Sequence, residues 1–311
     1  MKAMTVIEAL QWANNKLKTA HEDRDHRSGA KLDSPMLDAE VLLSHILSVP
    51  KSWLFTHMND SLKNELKEAF EKTVERRAAH EPIAYIIGEK EFYKRSFAVN
   101  RFTLIPRPDT EVLVDLAIEA AKETDPERTI FADVGTGSGA IATTLALESG
   151  LPVMASDNNG QTLKVAKENI KANGAEELVD VREGDLIDPL IEIFQKLKVA
   201  GGKSPISHLV ICANLPYLTD QQWETTQPEV RDYEPKEALA AGKDGLDAYW
   251  KFFRELLRHR SLFPLHLSVL IEIDPAQTER VMSLIRHNFP NAEPNVHADL
   301  NGLDRVIVTE I

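Results

Sequence analysis

Apolar residues recur at helical spacing through the first 80 residues of the chain, and the earliest of them roughly follow one helical face. Ser34 followed by Pro35 is typical of an N-cap with proline at the first helical position. A third amphipathic helix is predicted to begin near Asp60 or Ser61. The pattern therefore predicts a small helical bundle over residues 1–82.

The periodicity changes after the predicted bundle. Over residues 83–105, aromatic and apolar positions alternate loosely with polar ones, which is typical of a β-hairpin and predicts a linker. From residue 106 to 311, apolar strand candidates alternate with helical patterns. The strand candidates are 129–134, 152–156, 208–213, 267–273 and 304–309, and the helical patterns are 139–149, 160–172, 246–260 and 276–288. Such alternation predicts an α/β domain with a mainly parallel sheet covered by helices on both faces. Glycine, serine and proline over 195–207 predict a loop.

Composition agrees with a two-domain globular protein. The chain has 311 residues, of which 43% are hydrophobic. The single cysteine, Cys212, has no internal disulfide partner, which fits a reducing compartment. The first 20 residues lack the apolar centre of a signal peptide, and no apolar run approaches the length of a membrane span. We therefore expect a cytoplasmic protein without a membrane anchor.

The net charge of −13 disfavours a free nucleic acid as substrate, because binding to phosphates depends on Lys and Arg. The charge is uneven, since residues 61–110 carry a small local excess of Lys and Arg. This segment is either ordinary solvated surface or a face for an RNA-rich or acidic partner.

A glycine-rich segment follows the first strand candidate of the α/β domain. It reads Asp133-Val134-Gly135-Thr136-Gly137-Ser138-Gly139, and its GxGxG spacing differs from the GxGxxG of dinucleotide-binding loops. Glycines let the backbone turn tightly and approach a ligand closely. These residues are predicted to line a cofactor site at the carboxyl ends of the strands, where ligands bind in such sheets.

Two acidic residues extend this predicted site. Asp157 ends the second strand candidate, and its carboxylate can accept hydrogen bonds from ribose hydroxyls. An acidic residue at this distance also suits NAD, so Asp157 indicates a ribose without identifying the cofactor. Asp185 is either an acceptor for an adenine amino group or a solvated turn residue.

The sequence Asn214-Leu215-Pro216-Tyr217 ends a third apolar strand and is predicted to be catalytic. Asn and Pro are poor strand residues, so a reason other than strand stability is expected for them, although a simple turn is the alternative. An amide nitrogen is a poor nucleophile because its lone pair is delocalised. Acceptors such as the Asn214 side-chain oxygen and the Leu215 carbonyl would stabilise that nitrogen as it becomes positive. The Tyr217 ring would pack on the amide and favour a nearby sulfonium cation.

Other catalytic constellations are not predicted. The ten histidines show no HExxH or similar ligand spacing, so no metal site is expected. Cys212 lies inside an apolar strand and is interpreted as a core residue rather than a nucleophile.

Taken together, these motifs resemble the bacterial peptide chain release factor glutamine N-methyltransferases over nearly the whole chain. The resemblance rests on Asn214 to Tyr217, the GxGxG loop and further stretches. These are Arg76-Arg77, Glu81 to Tyr85 with Gly88, Glu91-Phe92, Leu104 to Glu111, and Val230 to Pro235 with Ala238-Leu239.

The resemblance implies a helical N-terminal substrate-recognition domain, a hairpin linker and a Rossmann-like, seven-stranded class I methyltransferase sheet whose last strand is antiparallel. It implies S-adenosylmethionine as cofactor, held by Gly135, Gly137 and Asp157, with Asn214 touching both cofactor and substrate. The implied substrate is the glutamine of the Gly-Gly-Gln loop in class I release factors. We expect a monomer that binds neither membrane nor specific nucleic-acid sequences.

The sequence departs from the family at two positions. The family tetrapeptide is Asn-Pro-Pro-Tyr, whereas this chain has Leu215 at its second position. Leu186 replaces an aromatic residue that some relatives carry near the adenine. The alternatives are a ribosomal-protein glutamine methyltransferase, a nucleic-acid adenine-N6 methyltransferase and a non-catalytic binding protein that kept the fold.

Overall fold

A computed structural model describes residues 4–20, 32–199 and 205–311. The chain divides into two compact units. Unit 1 extends to Glu89 and also includes Thr225–Glu234, whereas unit 2 comprises Lys90–Glu224 and Pro235–Ile311. The predicted domain limits lie at residues 82 and 105, and they leave 225–234 in the second domain. In the structure the first division falls after residue 89, and 225–234 belongs to unit 1.

Unit 1 is helical. Its helices before residue 90 are α1 (Val6–Thr19), α2 (Pro35–Leu47), α3 (Lys51–Thr56), α4 (Asn64–Ala78) and α5 (Ile83–Ile87). Helix α1 begins with a capping box in which Thr5 and Glu8 each bond the other's backbone N–H. The apolar faces of these helices bury one shared core that includes Leu10, Leu42 and Phe70. The predicted bundle is therefore present.

The predicted start of the third amphipathic helix near Asp60 or Ser61 is wrong, because α4 begins at Asn64. Ser61 instead forms an isolated antiparallel bridge with Thr5, and the Leu62 N–H donates to the Met4 carbonyl at 2.8 Å. These bonds hold the chain extended just where helical propensity would have started the helix.

The second part of unit 1, Thr225–Glu234, contains the short helix α11 (Pro228–Arg231). Arg77 of α4, which is only 6% exposed, pairs with Asp38 at 2.7 Å and with Glu229 at 2.5 Å. The Tyr233 hydroxyl donates to the Ala79 carbonyl at 2.8 Å. A buried guanidinium requires partners of opposite charge, so Glu229 helps to fix this segment within unit 1.

Strands β1 (Glu89–Phe92) and β2 (Arg95–Ala98) form a hairpin. The predicted hairpin over 83–105 is therefore shorter than expected, because residues 83–87 are helical. Both turn residues, Tyr93 and Lys94, have positive φ, as a two-residue type I′ hairpin turn requires.

Unit 2 is built on a seven-stranded sheet in the order β5-β4-β3-β6-β7-β9-β8. Its strands are β3 (Thr129–Val134), β4 (Val153–Asp157), β5 (Val179–Glu183), β6 (His208–Ala213), β7 (His266–Glu272), β8 (Asn295–Ala298) and β9 (Asp304–Glu310). Strand β9 runs opposite in direction to the other six strands of this sheet: it pairs antiparallel with β7 and β8, whereas β3, β4, β5, β6 and β7 pair in parallel. The α/β fold with a seven-stranded sheet and antiparallel last strand is confirmed.

Helices cover both faces of this sheet, as predicted. They are α6 (Glu111–Ala121), α7 (Ala140–Ser149), α8 (Gly160–Ala172), α9 (Asp188–Val199), α12 (Asp247–His259) and α13 (Thr278–Asn288). The short helix α10 (Asp220–Thr225) has no buried residue. Phe131 of β3 joins the core beneath α6 and α7, and its neighbour Ala132 joins the core beneath α12 and α13. The predicted loop at 195–207 is wrong over 195–199, because Leu197 packs on this second core and α9 continues to Val199. Residues 200–204 lie outside the described part of the chain.

Candidate active site

The glycine loop connects β3 to α7 at the carboxyl edge of the sheet. The N–H groups of Gly135 and Thr136 both donate to the Ser156 carbonyl, at 2.9 and 2.8 Å. Gly139 has a φ of +79°, and a Cβ there would lie 3.2 Å from Cα and Cβ of Ala166. Both the backbone conformation and the close approach of α8 therefore demand glycine at position 139.

Asp133 supports this loop from beneath. It is fully buried, and its Oδ2 accepts hydrogen bonds from the Thr136 hydroxyl at 2.6 Å and the Ala142 N–H at 3.1 Å. Burial raises the pKa of Asp133 to about 7. Asp133 was predicted to contact the cofactor, but the structure places it under the loop and not among the residues that line the cleft described below.

Asp157 lies at the end of β4, as the sequence predicted. Its Oδ2 accepts a hydrogen bond from the Gly137 N–H at 3.1 Å, and its Oδ1 accepts one from the Asn159 N–H at 3.0 Å. Burial raises the pKa of this carboxyl group above its ordinary value. Each carboxylate oxygen can accept a second hydrogen bond, so Asp157 retains acceptor capacity toward the cleft.

An open cleft runs along these strand ends and encloses about 820 Å³ of space, including the part open to solvent. The residues that line it are Phe102, Leu104, Gly135, Gly137, Asp157, Asn158, Asn159, Thr162, Gly184, Asp185, Leu186, Asn214, Leu215, Pro216, Pro235, Glu237 and Ala238. Three of these described lining residues are carboxylates and none is Lys or Arg, so the cleft favours a cationic ligand over an anionic one.

Asp185 and Leu186 both line the cleft. The Asp185 carboxylate forms an ion pair with Lys251 of α12, and about two-fifths of its side chain is exposed. Leu186 has a φ of +45°, a left-handed conformation that is uncommon for a residue with a Cβ. The Ser156 hydroxyl donates to the Leu186 carbonyl at 3.3 Å, which helps to hold this turn.

The predicted catalytic tetrapeptide directly follows β6. Asn214, Leu215 and Pro216 line the cleft, but Leu215 is only 2% exposed and its side chain belongs to the core. Tyr217 is also packed against this core and is not among the lining residues, and burial raises the pKa of its phenol. Gln277 donates a hydrogen bond to the Tyr217 carbonyl at 2.9 Å, which anchors the end of the tetrapeptide.

A second, smaller cavity adjoins the cleft. It is lined by Phe92, Leu104, Pro106, Arg107, Thr110, Gly135, Thr136, Gly137, Ser138, Ala140, Ile141 and Asn214. Leu104, Gly135, Gly137 and Asn214 line both spaces. Asn214 therefore lies in the wall that the two spaces share.

Two residues near Asn214 were not predicted to belong to the site. Nδ2 of Asn214 donates to the Thr110 hydroxyl at 3.3 Å, and Glu272 at the end of β7 lies beside both side chains, which lower the pKa of its carboxyl group. Thr110 lies in the stretch from Leu104 to Glu111, on which the family resemblance partly rests. That resemblance did not assign Thr110 a role. Glu272 is an acidic residue at the end of an apolar strand, as Asp157 is. This similarity to Asp157 could have indicated that Glu272 belongs to the site.

Within residues 4–20, 32–199 and 205–311, no group of three or more His, Cys, Asp or Glu side chains is placed to hold a metal ion. Over the same ranges, no helix combines the length and the apolar character needed to cross a membrane. Cys212 is fully buried in β6, as expected for a core residue, and burial raises its pKa.

Two stretches of the chain match known protein families. Residues 8–88 match the family described as PrmC N-terminal domain. Residues 112–197 match the family described as ribosomal protein L11 methyltransferase (PrmA).

Curated relatives match over almost the full length. The release factor glutamine methyltransferase of Bacillus anthracis is 37% identical over 99% of this chain and 100% of its own length. That of Nitratidesulfovibrio vulgaris is 34% identical over 91% of each chain.

Solved structures share the fold at lower identity. A crystal structure of the hMettl16 catalytic domain in complex with a MAT2A 3'UTR hairpin has a TM-score of 0.54 and 14% identity. It covers 76% of this chain and 81% of that chain. At this identity the similarity supports the methyltransferase fold alone.

Proposed function

Because the chain belongs to the family of release factor glutamine methyltransferases, we propose that it transfers a methyl group to the side-chain amide nitrogen of a release factor glutamine. Two relatives with this name match it end to end at 37% identity. The observation that carries the chemistry is the position of Asn214 in the wall shared by the cleft and the smaller cavity. One space suits the methyl donor and the other suits the acceptor.

S-adenosylmethionine is the proposed methyl donor in the cleft, and it supplies a methyl group bound to a positively charged sulfonium. The residues fit this group. Gly137 lines the cleft, and no atom lies within 4 Å of the position that a Cβ would occupy there. Because glycine lacks a side chain, this space is open to a ligand. Asp157 offers acceptors for ribose hydroxyls. The lack of Lys and Arg among the described lining residues disfavours NAD, whose pyrophosphate is anionic.

Asn214 is proposed to activate the acceptor amide. Its side-chain nitrogen donates to Thr110, which leaves the side-chain oxygen as an acceptor for the N–H of the substrate amide. The Leu215 carbonyl would accept from the second N–H of the same group. Such fixed dipoles stabilise the nitrogen as positive charge develops on it, and this is transition-state stabilisation. A methylated amide nitrogen loses its proton readily afterward, so no strong base is needed.

The finer identity of the acceptor follows from the family resemblance. We infer that it is the glutamine of the Gly-Gly-Gln loop in class I release factors, which places the reaction in the cytoplasm. Unit 1 is proposed to recognise the protein substrate, because it is a separate helical unit and the two spaces described above are lined by unit 2 residues.

The test uses the full chain, labelled S-adenosylmethionine and three separate acceptors: a class I release factor, ribosomal protein L11 and duplex DNA. Labelling is expected on the release factor and is expected to disappear when the Gly-Gly-Gln glutamine is replaced by alanine. Labelling of ribosomal protein L11 in place of the release factor would support the alternative suggested by the match over residues 112–197. Labelling of DNA alone would contradict the proposal.

A further inference from the structure

Thr110, Asn214 and Glu272 come together from three parts of unit 2. Thr110 immediately precedes α6, Asn214 follows β6, and Glu272 ends β7. Strands β6 and β7 pair in parallel with Ala213 opposite Ile271, so the next residue of each strand reaches the same edge of the sheet. Thr110 and Glu272 are 4% and 2% exposed, which makes them more deeply buried than Asn214.

The hydrogen bonds in this group have a defined direction. Asn214 Nδ2 donates to the Thr110 hydroxyl oxygen at 3.3 Å. The side chains of Thr110 and Asn214 lie close enough to the Glu272 carboxyl group to lower its pKa, and the buried Glu272 Oε2 has no hydrogen-bond partner among the described residues. An ionised carboxylate only accepts hydrogen bonds, so the face of Asn214 toward Glu272 must be its NH2 group. The carboxamide oxygen then points away from Glu272.

We propose that Thr110 and Glu272 are positioning residues that orient the Asn214 carboxamide so that its oxygen, rather than its NH2 group, faces the acceptor amide. This inference rests on the proposed function and deepens it. If the Asn214 carboxamide were rotated by half a turn, its NH2 group would face the N–H groups of the acceptor amide, and no hydrogen bond could form between them. The pair therefore makes the site selective for an acceptor that brings N–H groups to Asn214.

Surrounding groups set the charge of Glu272. Burial raises its pKa to about 7, whereas Arg305 and the side chains of Thr110 and Asn214 lower that pKa, and Asp109 raises it. Arg305 forms ion pairs with Asp109 at 3.3 Å and with Asp299 at 2.9 Å.

Two phenols and one further carboxylate complete this environment. The Tyr249 hydroxyl donates to the Glu272 backbone carbonyl at 2.7 Å. Burial raises the pKa values of Tyr217 and Tyr249, and the charge of Glu272 raises them further. Asp274 raises the same two pKa values. When Glu272 is protonated, its carboxyl group has an O–H that can donate a hydrogen bond. Because that O–H can bond to the Asn214 oxygen, the protonated group no longer enforces the orientation of Asn214.

The kinetic test compares Thr110→Val with Thr110→Ser in the full chain. Valine has the shape of threonine but lacks the hydroxyl, whereas serine keeps it. Thr110→Val should lower kcat about tenfold, the scale of one lost hydrogen bond, with little change in KM for the release factor. Thr110→Ser should retain kcat within about twofold. Parent kcat in Thr110→Val, or an equal loss in Thr110→Ser, would overturn the proposal.

The spectroscopic test does not depend on any acceptor. The side-chain NH2 signals of Asn214, assigned by their loss in Asn214→Asp, should shift between about pH 6 and 8 in the parent protein. In Glu272→Gln, which cannot titrate, they should not shift. Signals that shift equally in both proteins would overturn the positioning role even if the release factor proves not to be the substrate. Failure of the parent to label a release factor would instead contradict only the proposed function.

Discussion

The Asp157 carboxylate accepts a hydrogen bond from the Gly137 N–H at 3.1 Å and thereby ties the end of β4 to the loop that follows β3. The same carboxylate lines the cleft. One side chain therefore shapes the glycine loop and remains available to a ligand, so its removal should affect cofactor binding through both contacts.

Replacement of Asp157 by alanine should weaken S-adenosylmethionine binding by about 1.5–3 kcal/mol, the scale of hydrogen bonds to a charged group. Isothermal titration calorimetry measures this change. Asp180→Ala is the matched control, since Asp180 is an exposed aspartate on the neighbouring strand β5. Unchanged affinity in Asp157→Ala would exclude the ribose contact.

Replacement of Asn214 by alanine should lower kcat on the order of 10²–10³-fold, by analogy with the loss of an oxyanion-hole donor. Cofactor affinity should fall less, because only part of the cleft wall changes. Single-turnover methyl transfer to a release factor gives the rate, and Asn295→Ala provides an exposed asparagine as control. Transfer by Asn214→Ala at the parent rate would show that the proposed mechanism is wrong.

Leu215→Ala separates the packing of this residue from its chemistry. The leucine side chain is 2% exposed, so its truncation should lower the free energy of unfolding by about 2–5 kcal/mol. The backbone carbonyl survives, so transfer per folded molecule should stay near the parent rate. Urea unfolding and single-turnover assays measure the two effects, with exposed Leu300→Ala as control. A folded Leu215→Ala protein without transfer would contradict the backbone role.

Gly139→Ala should be more destabilising than Gly150→Ala. Both glycines have φ above +70°, which costs an alanine about 1–2 kcal/mol. At Gly150 the added Cβ has no atom within 4 Å, whereas at Gly139 it lies 3.2 Å from Ala166. Urea unfolding should therefore show at least about 1 kcal/mol of additional loss at Gly139. Equal losses at the two positions would show that α8 yields to the added methyl group.

Stability should fall as the pH rises from about 4 to 7. Burial raises the pKa of Asp133 from 3.8 and that of Glu272 from 4.5, in both cases to about 7. Between those values the folded protein binds more protons than the unfolded chain, so the free energy of unfolding decreases with pH. Urea unfolding between pH 5 and 8 measures the slope. Asp133→Asn should reduce that slope, and an unchanged slope would argue against a protonated Asp133.

The central strands could be predicted from the sequence because each is a short, mainly apolar run followed by a glycine or a polar residue. The limits of β3 and β6 agree with the prediction, and the ends of α8 do too. The start of α4 could not be predicted, since it depends on the bridge between Thr5 and Ser61. Local patterns carry no information about a partner more than 50 residues away.

The site shows the same division. Asp157 and Asn214 stand at strand ends, where chain order alone brings them to one edge of the sheet. Thr110 lies 104 residues before its hydrogen-bond partner Asn214, and Glu272 joins them only through the pairing of β6 with β7. Their positions follow from tertiary packing and not from any local pattern.

The membership of Thr225–Glu234 in unit 1 has a consequence for biosynthesis. Glu229, which pairs with the buried Arg77, is translated long after the rest of unit 1. At about 5–20 residues per second, the delay is on the order of ten seconds. During that interval the Arg77 guanidinium can pair with Asp38 but not with Glu229. Unit 1 therefore reaches its final form only after most of unit 2 has been synthesised.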